Sequence, residues 1–159
     1  WKKKFVHIDS DMVKQLLAEA DGIDNLGWRA AAYHEEASAV VKRIMNIARA
    51  ENRHILYDAT MKSQGKAINL INEYIKRGYQ ISTAFADLPM DQAVERAIAR
   101  FFGKSARFVD PIYIVTHGNQ NIGTFEALKD YVLSWAQYNT NVPYNPLNPN
   151  PPILVNSFP

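Results

Sequence analysis

Strand-length apolar segments alternate with helix-length segments along this chain, and that alternation limits its fold more than any other feature. Residues 5–8, 54–59 and 80–86 read as strands. Residues 12–20 and 28–50 read as helices between the first two, and 63–77 as a helix between the second pair. In 28–50, Ala37, Val40, Val41, Ile44, Ile47 and Ala48 recur at helical spacing. In 63–77, Ala67, Ile68, Ile71, Tyr74 and Ile75 share one face, with Gly78 where a C-terminal cap belongs. Strands joined by helix-length crossovers predict an α/β fold, a parallel sheet flanked by helices. Further helices are expected over 91–102, from Pro111, and over 124–135, the last capped by Thr124.

The first two strands end in acids, Asp9-Ser10-Asp11 and Asp58-Ala59-Thr60. Open α/β sheets bind ligands at the carboxyl ends of their strands. If strand geometry continues, Asp9 and Asp11 point to one side, as do Asp58 and Thr60. A carboxylate in reach of a substrate hydroxyl acts as a general base. The alternative is that Asp11 caps the helix after it and Asp58 shapes a turn. Arg96, Arg100 and Arg107 follow the third strand, and forked, permanently charged guanidinium groups suit phosphoryl oxygens. The alternative is a solvated helix face.

Other chemistries find little support. The chain has no cysteine, which excludes disulfides, thiolate zinc sites and a cysteine nucleophile. His34-Glu35-Glu36 lacks the H-E-x-x-H pattern, so no metal-binding residues are expected. His7, His54 and His117 are scattered. Gly65-Lys66 and Gly103-Lys104-Ser105 both fail the G-x-x-x-x-G-K-[ST] phosphate loop. The net charge of +2 is too small to argue for nucleic acid, and no apolar run reaches membrane-spanning length. Lys2-Lys3-Lys4 reads as a solvated end.

In order and spacing, several short segments resemble the zeta-toxin family of P-loop kinases. They are Ile8-Asp9-Ser10-Asp11, Glu35-Glu36-Ala37-Ser38, Tyr57-Asp58-Ala59-Thr60, Leu88-Pro89, Glu95-Arg96, Arg107-Phe108-Val109, His117 and Phe125 with Leu128. The resemblance implies a P-loop NTPase fold, incomplete at the N-terminus. It implies phosphoryl transfer from ATP or GTP, with Mg²⁺, to a hydroxyl of a small molecule such as UDP-N-acetylglucosamine. By position, Asp11 becomes the base, and Arg96 and Arg107 clamp the phosphates. Asp9, Glu36, Asp58, Thr60 and Lys62 line the acceptor site, and Arg100 serves the nucleotide. Ala59 stands where the family more often has Gly, and Lys62 where some members have Arg.

The kinase core is expected over residues 1–138 and a Pro/Asn-rich extended tail over 139–159, with 153–155 a short strand or docking strip. A glycine-rich loop is expected about 20–30 residues upstream in a longer parent, the length of one βα unit. Activity as a kinase depends on that loop. A cytoplasmic setting and an antitoxin or other protein partner are expected, without nucleic acid or membrane. Two alternatives stay open: a degenerate kinase fold used for binding or assembly, and a polynucleotide 5′-hydroxyl or other nucleotide kinase.

Overall fold

The computed structural model describes residues 5–23, 27–103, 108–143 and 150–159. Its elements run β1 (Phe5–Asp9), α1 (Ser10–Ala20), a 3₁₀ turn (Gly27–Ala31), α2 (His34–Ala50), β2 (His54–Asp58), α3 (Gln64–Ile75), β3 (Ser82–Asp87), α4 (Met90–Phe102), α5 (Pro111–Leu128), β4 (Ser134–Asn139) and β5 (Ile153–Phe158). The chain divides into two compact units, Trp1–Thr60 with Ala97–Val109 and Met61–Arg96 with Asp110–Pro159. The fold is α/β, and the expected parallel pairing is present in each unit.

In the first unit β1 pairs parallel with β2, Phe5 beside His54 through Asp9 beside Asp58. Ile8, Val13, Ala37 and Val41 form the core, joined by Val6, Ile55 and Tyr57. Ile8 is only 1% exposed. Because side chains alternate along a strand, burying Val6 and Ile8 places His7 and Asp9 on the opposite face. Leu56, on that same side of β2, is 55% exposed.

In the second unit β3 pairs parallel with β4, and β4 pairs antiparallel with β5 across a register shift at Gln137/Tyr138. Ala67 and Ile71 of α3 pack with Leu128 of α5. Phe125 stacks on Phe85 at 5.0 Å and meets Trp135 edge-on at 6.0 Å. Residues 153–155 lie in β5, whose six residues are all exposed. Among the described residues neither sheet extends past β2 or β3.

Three sequence expectations change. The helix expected over 28–50 is a 3₁₀ turn followed by α2. The cap of α1 is Asp9 and not Asp11: its Oδ1 accepts the Asp11 N–H at 2.8 Å, so the strand turns to helix at Ser10. Asp11 is thus in the first helical turn, and strand alternation does not relate it to Asp9. The helix expected over 124–135 is two elements. Asp110 caps α5 by accepting the Ile112 N–H at 2.8 Å, and Pro111 opens it. The helix then runs to Leu128 with Thr124 buried inside it, while Trp135 belongs to β4. Gly118 lets α5 pass close to Met90, whose Cε lies 3.1 Å from where a Cβ would stand.

Helices α1, α2 and α3 end alike. After α3, Tyr79 N–H reaches Tyr74 C=O and Gly78 N–H reaches Ile75 C=O, at 3.1 and 2.9 Å. This is the Schellman arrangement, and Gly78 holds the left-handed φ of 83° it requires. Gly78→Ala is expected to lower the unfolding free energy by about 1–2 kcal/mol, the cost of a left-handed L-residue. Gly65→Ala, where a Cβ meets nothing within 4 Å, is expected to be neutral or to stabilise by up to about 1 kcal/mol. Urea titration of both variants checks the pair.

Candidate functional site

The register of β1 and β2 sets Asp9 directly beside Asp58 at the carboxyl ends of two parallel strands. His7 stands two residues before Asp9 on the same face. One ligand atom from each of His7, Asp9 and Asp58 lies within 4.8 Å of the others. His7 and Asp58 are exposed and Asp9 is half-buried. Asp9 is fixed by its cap bond to the Asp11 amide. Like charges directly across a strand pair destabilise it. Among the described residues no lysine or arginine forms an ion pair with Asp9 or Asp58.

Asp11 opens α1 one step further along, and its Oδ1 accepts from Lys14 Nζ at 3.2 Å. Thr60 follows Asp58 by two residues and is exposed. Glu36 lies exposed in the first turn of α2, where an acid complements the helix dipole. Nearby, Ser38 Oγ donates to the His34 carbonyl at 2.7 Å, so the His34–Ser38 pairing is a backbone bond.

Lys62 and Arg96 belong to the second unit and have partners there. Lys62 Nζ donates to Tyr113 Oη at 2.8 Å and lies 4.7 Å from the centre of that ring. Arg96 Nη2 donates to the Val142 carbonyl at 3.1 Å. Arg100 is exposed near the end of α4, four residues after Arg96. Arg107 lies outside the described residues. Of the expected site residues, then, the structure groups Asp9 with Asp58 and sets Asp11 and Thr60 next to them in sequence. Lys62 and Arg96 form separate contacts.

Sequence reasoning passed over two residues. His7 was legible in principle, since strand alternation puts it on the side of Asp9. Tyr113 was not: it meets Lys62 across 51 positions, and no local pattern announces that contact.

The sequence profile described as "Zeta toxin" matches residues 2–135. The chain belongs to the zeta toxin family. That family has a P-loop kinase-like fold, and membership carries kinase-like, toxin and nucleotide-binding character in general terms. No curated protein and no solved structure matches the chain. Within the zeta toxin match fall β1 with its acid end, β2 with Asp58, and all of α3, β3, α4 and α5. No described helix is long and apolar enough to cross a membrane.

Two tyrosines of the first unit, Tyr33 and Tyr57, give it a pH response. Tyr33 Oη donates to Asp21 Oδ2 at 2.6 Å, and that bond, helped by burial and the Asp21 charge, raises its pKa above the ordinary 10.0. Burial raises Tyr57 likewise. In both cases the fold favours the neutral phenol. The stabilisation is therefore complete below pH 10 and is lost as pH climbs through the raised values. Alkaline denaturation is expected to steepen above pH 10, and Tyr33→Phe and Tyr57→Phe should each flatten that limb in urea melts recorded at a series of pH values.

Proposed function

We propose that this chain carries the acceptor side of a kinase that moves a phosphoryl group from ATP or GTP to a hydroxyl of a small molecule, with a nucleotide sugar the favoured class. The observation that supports this most is the pairing of Asp9 with Asp58 at the ends of parallel strands, with Asp11 in the helical turn that follows. In this reading Asp11 takes the proton of the acceptor hydroxyl. Asp9, Glu36, Asp58 and Thr60 position the acceptor, and Lys62 is assigned to acceptor binding by its family position alone. Arg96 and Arg107 neutralise the transferring phosphoryl group, and Arg100 the rest of the nucleotide. Charge neutralisation and positioning are the main protein contributions to such a transfer.

The donor nucleotide and Mg²⁺ fit these residues only in part. No G-x-x-x-x-G-K-[ST] loop occurs among the 159 residues, so none of them is assigned as a triphosphate cradle of backbone amides. The oxygens of Asp9 and Asp58 suit a hard cation, whereas the imidazole of His7 does not. When bound, Mg²⁺ would neutralise charge on the phosphates. A reducing, cytoplasmic setting and an antitoxin-type protein partner complete the proposal; the cysteine-free composition supports the former.

Asp11→Asn, in a protein that joins this chain to a phosphate-binding loop, is expected to lower phosphoryl transfer to the acceptor by about 10²–10⁴-fold, the usual worth of a general base. Unchanged turnover would remove Asp11 from the mechanism.

A second reading is a kinase fold used for binding or assembly. It is favoured by Lys62 and Arg96, both engaged by protein atoms instead of standing free for phosphate. On that reading, calorimetry of a protein that joins this chain to a phosphate-binding loop gives no binding heat with MgATP, and a measurable heat eliminates it.

A further inference from the structure

The exposed face of the β1–β2 pair carries a mixed set of ligands, one imidazole and two carboxylates. We propose that His7, Asp9 and Asp58 form a binding site for a divalent transition metal of the zinc class, distinct in preference from the Mg²⁺ that accompanies a nucleotide. The inference rests on the geometry of this strand pair and not on the kinase reading.

Three observations carry it. First, the three donor atoms converge from two rigid strands. Atoms sharing an ion at about 2.0–2.2 Å stand at most about 4.4 Å apart. The observed limit of 4.8 Å closes with a small rotation of the exposed His7 and Asp58 side chains. Second, the register forces Asp9 and Asp58 against each other, and among the described residues no lysine or arginine forms an ion pair with either. Lys14, five residues after Asp9, is paired with Asp11, and Lys62, four residues after Asp58, donates to Tyr113. A cation between the two carboxylates turns their repulsion into attraction. Third, Asp9 is oriented from outside the set by the Asp11 amide, at 2.8 Å. Ligating carboxylates are characteristically held by such outer hydrogen bonds.

The donor set decides the metal. Mg²⁺ prefers oxygen alone in a strict octahedron. An imidazole beside carboxylates suits Zn²⁺ and its neighbours. Three protein ligands leave a fourth tetrahedral position open, as in zinc sites that hold a water or substrate oxygen.

The test titrates the purified chain with Zn²⁺ alone and with Mg²⁺ alone by calorimetry, alongside His7→Ala and Asp58→Asn. The expected result is one site, with Zn²⁺ at least tenfold tighter than Mg²⁺ and each substitution weakening Zn²⁺ at least tenfold. No Zn²⁺ binding up to about 1 mM, affinity unchanged in either variant, or Mg²⁺ binding as tightly as Zn²⁺ would each overturn the proposal. Should a variant fail to fold, the imidazole signals of His7 in the wild-type chain are followed by NMR during the Zn²⁺ titration. Selective perturbation of His7 supports the site, and an unmoved His7 overturns it. Phosphoryl transfer is not read, so a negative result leaves the kinase proposal standing, and loss of that proposal leaves this one intact.

Discussion

Ile8 under α1 and α2 is the contact from which the first unit takes its chemistry. A strand has a period of two, so a one-residue slip would exchange its faces. With Val6 and Ile8 held in the core, the side chains of His7 and Asp9 have one remaining direction. Ile55 and Tyr57 impose the same choice on β2 and send Leu56 and Asp58 outward. Hydrophobic burial, worth about 1.5–3 kcal/mol for a side chain of this size, thus holds two carboxylates together against their mutual repulsion. The polar cluster is a by-product of the apolar one, which is why its members share one face although His7 and Asp58 are exposed.

The same logic explains what the chain discloses before folding. β1, β2 and β3 are legible because compact apolar runs precede acids or turns, and α2 and α3 because their apolar residues keep helical spacing. Asp9 and Asp58 are legible for the same reason, as polar residues at the ends of apolar runs. The cap of α1 is misplaced by two residues because Asp9 and Asp11 have equal capping chemistry, and only the backbone decides between them. β4 is missed because Ser134–Asn139 alternates poorly and follows directly on a helical pattern. Its partner β3 is some 50 residues away in sequence, where the Ser134 hydroxyl meets that of Ser82 at 2.7 Å. The contacts of Lys62 with Tyr113 and of Arg96 with Val142 are equally non-local. Residue type predicted that these cations would seek electron-rich partners; it carried no information on which ones.

The basic residues show how family position and local environment can diverge. Arg96 occupies its expected place after the third strand, yet its guanidinium donates to the backbone beyond β4. Lys62 lies against an aromatic ring and its hydroxyl. Such contacts constrain a side chain without neutralising its charge, so each remains a cation with a restricted reach. A phosphate arriving there would have to compete with a neutral oxygen, a contest a dianion is well placed to win.

β5 has a consequence for handling the protein in solution. Its outer edge has no neighbouring strand among the described residues, and Ile153, Leu154, Val155 and Phe158 are each more than half exposed. Unpaired apolar edges are templates for association between molecules. Pro151, Pro152 and Pro159 bracket the strand, and proline cannot donate to a ladder, so any such pairing is confined to six residues. Association through that edge would depend on protein concentration, and additives that compete for its backbone amides would oppose it without touching either core.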